Sequence, residues 1–512
     1  MSRINTNPAS LIAQRNLSGN NSQLNTTLER LSTGLRINRG KDDPAGLIAS
    51  ENLRAEKGAL ASAIGNAERT DQLVNIAEGG LQEVSNLLTD LRSLVTATAN
   101  NAGLSAEEKN ANQLQIDSIL QTIDRIADST NFQGVKLLNG NFDFQTTGVA
   151  SGVSDFRVNA AKVNKGGSVA VQALVTGSAQ QGSLFLSTGT ALNLGGGANG
   201  LFTIEISGRL GSRELSFASG TTRQQIIDAV NTYTDVTGVS ASAFTSTGSS
   251  NAVQLRSTEF GSDNFVSVKV VNSAGITGGS GVYTAQTGNA NAINTSGGTA
   301  FSANAAKNGV RDEGKDIVAT INGVAATSKG RNARINTDFL DVEITFNAAT
   351  ATRTNAVSSV NAFTISGGGA EFQLASRVDI AGKVALGVQN IATRKLGNSD
   401  TGFLSSLASG KAFNVVDGDL VKAGKAVDES IRQVSSLRGR LGAFQKNTVG
   451  ATIRNLGVSL ENSAAAESVI RDADFARETA SLTRSQILSA AAQNSLGLAN
   501  SQPQSALQLL RG

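Results

Sequence analysis

The sequence predicts an α+β protein in which long, coiled-coil-like helices from both chain termini form a bundle and the middle of the chain forms a β-rich region. Three observations predict this class. Large aliphatic residues recur at helical spacing near both ends, segments of alternating apolar and polar residues lie in the middle, and no aromatic residue precedes Phe132 or follows Phe475. Because a narrow apolar stripe cannot stabilise a long helix alone, we expect the two ends to pair with each other or with other copies.

The composition excludes several classes of function. The 512 residues carry a net charge of only +3, which gives no reason to expect a nucleic-acid partner. Cysteine and histidine are both absent, so disulfides, thiolate zinc sites and histidine-dependent catalysis cannot occur. The sequence has no apolar run long enough to span a membrane, and its start lacks the apolar segment of an ordinary signal peptide. We therefore expect no enzyme activity, no metal, no cofactor and no membrane partner.

Residues 1 to 131 are expected to be helical, because large aliphatic residues recur there every three or four positions. In "GLSAEEK", Ser105 is a suitable N-cap and Glu108 completes a capping box. The predicted stripes consist of Leu17, Leu24, Leu28, Leu31 and Leu35, then of Leu81, Val84, Leu88, Leu91 and Val95, and then of Ile116, Ile119, Ile123 and Ile126.

The stretch "RLSTGLRINRGKDDPAGL", residues 30 to 47, interrupts these helices. Asp43 is a suitable N-cap for a helix with Pro44 at its first position, so one helix is expected to end near Gly34 to Gly40 and the next to begin at Pro44. The spacer between them carries both signs of charge, and it is either a solvated linker or a segment that contacts other subunits. Its charged residues are Arg36, Arg39, Lys41, Asp42 and Asp43.

The C-terminal region repeats the helical pattern. In "RDADF", residues 471 to 475, the aspartates Asp472 and Asp474 are expected to mark a helix start that faces water or a partner, because a calcium site would need more oxygen ligands. Two apolar stripes are predicted, one of Val427, Ile431, Val434, Leu441 and Phe444, and a poorer one of Ile487, Ala491, Asn494 and Leu498.

The middle of the chain is expected to form strands joined by turns. "LFTIEISGRL" and "LDVEITFN" alternate as strands do, "TTRQQIIDAVNTY" is a short helix that begins near Thr221 or Thr222, and Asn322-Gly323 signals a hairpin. "GVRDEGKD", residues 309 to 316, nearly matches a phosphate-binding loop but has Asp316 where serine or threonine is required. We expect a turn there.

Both ends of the sequence resemble the bacterial flagellins. At the N-terminal end the resemblance lies in "INTNPASLIAQRNL", "RLSTGLRINRGKDDPAGLIASENLRA" and "TNFQGVKLLNG". At the C-terminal end it lies in "AAAESVIRDADFARETASLTRSQIL" and "QPQSALQLLRG". It covers about residues 1 to 145 and 425 to 512, and residues 201 to 246 resemble a short insert of many flagellins.

The resemblance implies a subunit that is exported unfolded through a type III flagellar channel and polymerises into the extracellular filament used for swimming. It implies self-assembly, an export apparatus, an export chaperone that binds the C-terminal region, and contacts with filament cap and hook-junction proteins. Terminal arms that are largely disordered in the monomer would order on assembly, and their seams would serve as both core and subunit interface. The residues assigned to assembly are Leu17, Leu24, Leu28, Leu31, Leu35, Arg36, Asp42, Asp43, Ile487, Leu498, Leu507 and Leu510.

The same resemblance implies a domain organisation. Residues 1–42 form an N-terminal inner-core helix that pairs with the C-terminal inner-core helix of residues 470–512. Residues 43–165 and 366–469 form a helical bundle domain with a β-hairpin, and residues 166–365 form variable β-rich outer domains.

Many flagellins are detected by an innate immune receptor through an arginine, a leucine and a glutamate on the first bundle helices. In this sequence the matching positions are Asp90, Leu94 and Gln115. Only the leucine is kept, so the resemblance implies weak activation of the receptor.

Two alternatives stay open. A hook–filament junction protein would share the terminal helices, although the large β-rich middle and the signatures at both ends favour the filament subunit. Adhesion or glycan display by the Ser/Thr-rich middle is compatible with either role. A zinc-protease insert, which some flagellins carry, is excluded because it requires histidine.

Overall fold

The computed structural model describes residues 6–100, 103–163, 166–188, 191–194, 200–246, 249–276, 281–352 and 358–511. The chain divides into two compact units. Unit 1 contains residues 1–74, 372–383 and 442–512, and unit 2 contains residues 75–371 and 384–441. The helices are α1 (Pro8–Thr33), α2 (Pro44–Thr98), α3 (Ala106–Ser129), α4 (Arg223–Thr232), α5 (Thr234–Thr237), α6 (Asn304–Asn308), α7 (Ala348–Ala351), α8 (Leu420–Ala443), α9 (Gly450–Arg471) and α10 (Phe475–Arg511), with a 3-10 turn at Leu404–Leu407 and a π-helical turn at Phe444–Val449.

Twenty-four strands are described, and their pairs are antiparallel where the register is given. They are β1 (Asn131–Phe132), β2 (Val135–Lys136), β3 (Phe144–Thr147), β4 (Val153–Ala161), β5 (Val169–Gly177), β6 (Ser183–Ser187), β7 (Phe202–Gly208), β8 (Ser212–Phe217), β9 (Val239–Ser246), β10 (Ser249–Ser257), β11 (Phe265–Asn272), β12 (Gly281–Gln286), β13 (Asn289–Ala300), β14 (Val310–Glu313), β15 (Val318–Ile321), β16 (Val324–Ala325), β17 (Thr327–Lys329), β18 (Asn332–Asn336), β19 (Leu340–Phe346), β20 (Ser358–Gly368), β21 (Ala370–Gln373), β22 (Lys383–Leu386), β23 (Gly397–Asn398) and β24 (Gly402–Phe403).

The helix ends follow from local capping. Asn7 accepts a hydrogen bond from Ser10 N at 3.2 Å and begins α1, and Gly34, with φ of 70°, ends it in the left-handed conformation that glycine favours. Asp43 Oδ1 accepts from Gly46 N at 2.8 Å at the start of α2. The predicted capping box of Ser105 and Glu108 is confirmed at α3. The predicted break between the first two helices is therefore confirmed.

The stripes predicted for unit 2 lie in its core. On α2 every residue from Leu81 to Val95 in the second predicted stripe is buried. On α3, Ile116 and Ile123 are buried and Ile119 and Ile126 are half-buried. On α8 the buried residues include Val427, Val434 and Leu441. The hairpin β1–β2 follows α3, and Gln133 and Gly134 adopt positive φ at its turn.

Two β modules complete unit 2. The first β module consists of the sheets β16-β15-β5-β20-β3 and β17-β18-β19-β4, whose core includes Val171, Ile344, Phe346 and Phe363. The second β module consists of the sheets β13-β12-β6-β10-β9 and β14-β11-β7-β8 with α4, and its core includes Phe202, Val253 and Phe301.

Local predictions in this region hold in part. The Asn322-Gly323 hairpin joins β15 to β16 with φ of 49° and 80°, and Thr222 caps α4 with a capping box to Gln225. The turn predicted for residues 309 to 316 is wrong for Val310–Glu313, which form β14 paired with β11. Asp312, which a phosphate loop would not tolerate, accepts instead from Ser183 N at 2.8 Å. The strands β3 and β4 precede residue 166 and pair in sheets of the first β module.

Candidate assembly surface on the terminal helices

Helices α1 and α10 of unit 1 pack against each other in antiparallel fashion. Asn7 Nδ2 donates to Ala499 O at 2.7 Å near one end of the pair, and Asn20 Nδ2 donates to Leu488 O at 3.1 Å near its middle. Arg30 forms an ion pair with Glu478 at 3.2 Å near the other end. The two chain termini are thus held in one register by side-chain contacts along α1.

Small and polar residues form the contact between these helices. On α1 the buried residues are Ala13 and Thr27. Ser489, whose Oγ donates to Asn21 Oδ1 at 2.8 Å, belongs to the matching stripe of α10. That stripe has a spacing of four, three, four and three residues and consists of Ser485, Ser489, Ala492, Leu496 and Ala499, of which Leu496 is half-buried and the others are buried.

Several large apolar side chains of the pair are exposed. Leu498 is 67% exposed and Ile487 is 64% exposed, although both belong to the stripe that the sequence predicts for α10. In the first predicted stripe, Leu28 is exposed and the other four leucines are half-buried, and the last of them, Leu35, lies just beyond the end of α1. The outward apolar set, as we name it, consists of Leu11, Ile12, Leu28, Ile487, Leu488 and Leu498.

The remaining assembly residues predicted on α10 are only partly described. Leu507 and Leu510 lie in its last turns, in the stretch 504–512 whose side chains fall outside the described residues. At its first turn, Asp474 Oδ1 accepts from Arg477 N at 3.1 Å, so the predicted helix start at "RDADF" is confirmed. Asp472 Oδ2 accepts from Ser468 Oγ at 2.5 Å.

The spacer between α1 and α2 is anchored to the start of the C-terminal helix region. Arg36 N donates to Arg471 O at 2.7 Å, and its guanidinium donates to Ile470 O at 2.5 Å. Ala473 N donates to Gly34 O at 2.9 Å, and Ile37 is fully buried. Within the chain, this segment is therefore docked rather than freely solvated.

The two aspartates of the spacer organise its backbone. Asp42 Oδ2 accepts from Arg39 N at 2.8 Å and Asn38 N at 3.1 Å, and the Arg39 hydrogen bond is the main reason that the pKa of Asp42 lies below its usual value. Asp43 caps α2 and lies 3.8 Å from the Arg36 guanidinium. Both carboxylates thus fix the turn that returns the chain into α2.

The positions that match the immune-receptor patch lie on the bundle helices of unit 2. Asp90 on α2 and Gln115 on α3 are exposed, and Leu94 on α2 is half-buried. All three are accessible from solvent to some degree in this chain.

Two further kinds of feature, metal-holding clusters and membrane-spanning helices, are absent from the described part of the chain. No group of three or more acidic residues there is arranged to hold a metal ion. None of the described helices combines the length and apolar character that crossing a bilayer requires.

The terminal regions match known families. The family model of the bacterial flagellin N-terminal helical region matches residues 4–143, and that of the bacterial flagellin C-terminal helical region matches residues 425–510. The chain is 31% identical over 556 residues to the B-type flagellin of Pseudomonas aeruginosa, with 99% of both chains covered. It is 29% identical over 534 residues to the flagellin of Salmonella typhimurium, again with 99% of both covered.

These matches span the β modules as well as the terminal helices, and nothing in them favours the hook–filament junction alternative. The chain therefore belongs to the bacterial flagellins, the structural subunits of the flagellar filament.

Proposed function

We propose that this chain is exported unfolded and polymerises outside the cell through the outward apolar set of α1 and α10. One observation carries the proposal: the terminal helices bury serine and alanine between them and leave isoleucine and leucine exposed. Large apolar side chains that a chain leaves exposed in numbers mark a site of protein association. One sequence that repeats a non-closing contact of this kind builds a filament rather than a closed oligomer.

The domain roles follow from the same surface. We assign residues 1–42 and 470–512 to the inner-core helices, residues 43–165 and 366–469 to the helical bundle domain, and residues 166–365 to the outer domains. The strands β3 and β4, near the end of the 43–165 segment, pair into the sheets of the first β module. The half-buried leucines Leu17, Leu24, Leu31 and Leu35 would contact both α10 and neighbouring subunits, and Leu507 and Leu510 would extend the α10 surface. Arg36, Asp42 and Asp43 would present the anchored spacer to a neighbouring copy.

Export and partners complete the proposal. Arms that are rich in polar residues and carry a single aromatic residue, Phe475, bury too little surface to fold alone, so they would pass an export channel unfolded and order on association. The absence of cysteine removes the risk of cross-links during passage. The partners would be the export apparatus, an export chaperone at the C-terminal region, and the cap and hook-junction proteins. The role is structural and extracellular, without an enzymatic activity of its own.

Point substitutions on α10 test the assembly surface. The double variant Ile487→Ser and Leu498→Ser removes large exposed apolar side chains, and Gln486→Ser with Gln493→Ser changes two exposed polar residues of the same helix as a matched control. Seeded polymerisation of purified chains is followed by light scattering and electron microscopy. We expect the apolar double variant to lose polymerisation and the control to keep it. Equal polymerisation of both variants would contradict the proposal.

Truncation tests the same proposal on a larger scale. Removal of residues 1–40 or 480–512 is expected to abolish filaments, whereas circular dichroism should show that the bundle of unit 2 stays folded. Normal filaments from either truncated chain would contradict the assembly role of the terminal helices.

The receptor patch is a separate proposal. Asp90 places an acid where the resemblance implies arginine, and Gln115 is neutral where it implies glutamate. We expect the purified monomer to activate the receptor weakly in a reporter-cell assay and the Asp90→Arg, Gln115→Glu variant to be more potent. Full potency of the unaltered monomer would contradict this expectation.

A further inference from the structure

A cleft of about 390 Å³ lies where the two β modules of unit 2 meet. Its volume is within the range of roughly 300–1,000 Å³ that small-molecule sites occupy. The first β module contributes residues near the end of β5 and on α7, and the second contributes β10 and the β12–β13 hairpin. The lining residues that carry the argument are Gln180, Arg256, Phe260, Asn289, Asn291 and Thr352.

Arg256 is the charged residue of this cleft, and no described lining residue is an aspartate, a glutamate or a lysine. Its Nη2 donates to the neutral side-chain oxygens of Gln254, at 3.0 Å, and of Asn291. Its Nε is buried and has no hydrogen-bond partner among the described residues. Burial lowers the pKa of Arg256, and no charge of another described residue contributes to that shift.

Such a guanidinium is costly for the folded protein. Arg256 is half-buried, and its Nε is the buried part of the guanidinium. A buried donor without an acceptor loses its hydration without compensation. The amides of Gln254 and Asn291 hold one side of the guanidinium and leave Nε unsatisfied. A carboxylate is the planar anion that accepts from two guanidinium nitrogens at once.

The rest of the cleft suits a polyhydroxylated ligand. Amides and hydroxyls both donate and accept hydrogen bonds, as sugar hydroxyls do. Gln180, Asn289 and Thr352 supply such groups, and Phe260 supplies an apolar surface. Gln181, which also lines the cleft, is held by bonds from its Nε2 to Ser257 O at 2.8 Å and Thr258 O at 3.3 Å, so this wall is fixed before a ligand arrives.

We propose that this cleft binds a carboxylated sugar, with the carboxylate on Arg256 and the ring hydroxyls on the amide-lined walls. The subunit would then present an acidic-saccharide site on its β modules, independently of its polymerisation. The sugar could be free or part of a polysaccharide, since both offer the same carboxylate and hydroxyl chemistry.

The test uses the purified full-length chain and three small probes. D-glucuronate carries the carboxylate and the ring, D-glucose carries the ring alone, and acetate carries the carboxylate alone. Isothermal titration calorimetry is expected to show that glucuronate binds at least tenfold more tightly than glucose or acetate. No measurable binding of glucuronate would overturn the proposal. Glucose binding as tight as that of glucuronate would show that the carboxylate is not recognised, and acetate binding as tight would show that the sugar ring is not recognised. Competition by an oligoglucuronate would show whether the site also accepts the sugar within a polymer, and a failure to compete would restrict it to the free sugar.

Variants of the chain assign the binding to the cleft. Arg256→Gln is expected to weaken glucuronate binding at least tenfold, whereas Arg209→Gln, which makes the same charge change at an exposed position of the same module, should leave it unchanged. Ala348→Phe fills the cleft from an exposed position on α7 and should weaken binding without altering the bonds of Arg256. If Arg256→Gln fails to fold, glucuronate binding by the Ala348→Phe variant decides whether the ligand occupies this cleft. Unchanged binding in the folded variants would refute the assignment.

Discussion

Two adjacent glycines in the middle of α2 should respond to the same substitution in opposite directions. A methyl group added at Gly79 would meet no atom within 4 Å. At Gly80 it would lie 2.8 Å from Thr130 Oγ1 and 2.9 Å from Leu138 Cδ1. We expect Gly79→Ala to stabilise the bundle of unit 2 and Gly80→Ala to destabilise it.

The magnitudes follow from two opposing terms. Either change gains about 0.8–1.0 kcal/mol of helix propensity, because alanine replaces glycine in a helix interior. At Gly80 the neighbours cannot easily yield, since Thr130 Oγ1 donates to Ile126 O at 2.8 Å and Leu138 is fully buried. Overpacking of this kind costs about 1–3 kcal/mol. The free energy of unfolding should therefore rise by about 1 kcal/mol for Gly79→Ala and fall by up to about 2 kcal/mol for Gly80→Ala.

The assay must isolate the bundle, because a chain with several cores does not unfold in one step. Hydrogen exchange of the α2 amides in the full-length monomer reports local stability, and urea unfolding followed by far-UV circular dichroism gives the helical transition. Both variants should keep the helical content of the parent chain. The reasoning is refuted if Gly80→Ala slows exchange and raises the urea midpoint as much as Gly79→Ala does.

Three further changes test other contacts. Gly323→Ala should destabilise the first β module by about 1–2 kcal/mol in urea unfolding, because alanine at φ of 80° is strained even though the added methyl meets open space; an unchanged midpoint would contradict this. Burial raises the pKa of Asp143, so the ionised carboxylate destabilises the folded protein at pH values above that pKa. Asp143→Asn should therefore raise the urea midpoint at pH 7. The difference in midpoint between variant and parent should shrink as the pH falls through the raised pKa towards 3.8, because the parent carboxyl becomes neutral. Glu478→Gln should lower the temperature at which filaments depolymerise, because it removes the negative charge that pairs with the half-buried Arg30. Glu29→Gln removes the charge that pairs with the more exposed Arg39 and should change that temperature little, and equal shifts for the two variants would argue against the α1–α10 register.

Periodicity predicted the bundle well, because the residues that repeat along α2 and α8 are large and bury against other helices of the same unit. Leu81, Leu88 and Val434 are examples, and all are buried. Capping signals were equally reliable at Ser105 and Thr222, since a cap depends only on neighbouring residues.

Helix α10 shows that periodicity does not determine which face of a helix is buried. Reading the largest side chains along α10 selected Ile487 and Leu498, which are exposed. The buried stripe lies elsewhere on the helix, at Ser485, Ser489 and Ala492. Its four-three spacing was present in the sequence, but serine and alanine are too weakly hydrophobic for such a stripe to stand out. A periodic pattern also shows that a helix has one distinct face but not which surface that face contacts.

The strand pairing of the β modules could not be predicted from local sequence signals, for a different reason. Short signals located the Asn322-Gly323 hairpin, but β5 pairs with β15 and β20, which follow it by well over a hundred residues. Residues 309 to 316 were expected to form a turn because they do not complete a phosphate-binding loop, and pairing with β11 makes residues 310–313 a strand instead. Such pairings depend on the whole module, so tertiary contacts override the local pattern.

The arrangement of α1 and α10 is the reverse of a stable helical hairpin. Had Ile487 and Leu498 faced α1, the pair would bury two more of its large side chains internally and would leave fewer of them for neighbours. Full burial of a leucine or isoleucine contributes about 1.5–3 kcal/mol. Because the six residues of the outward apolar set are 46–67% exposed, burying what remains can contribute about 5–10 kcal/mol between chains. Inside the pair, hydrogen bonds such as Ser489 to Asn21 set the register while contributing about 1 kcal/mol each. On this proposal the pair is ordered chiefly by its neighbours, and so the same residues that keep the arms loosely held before assembly make them rigid within the filament.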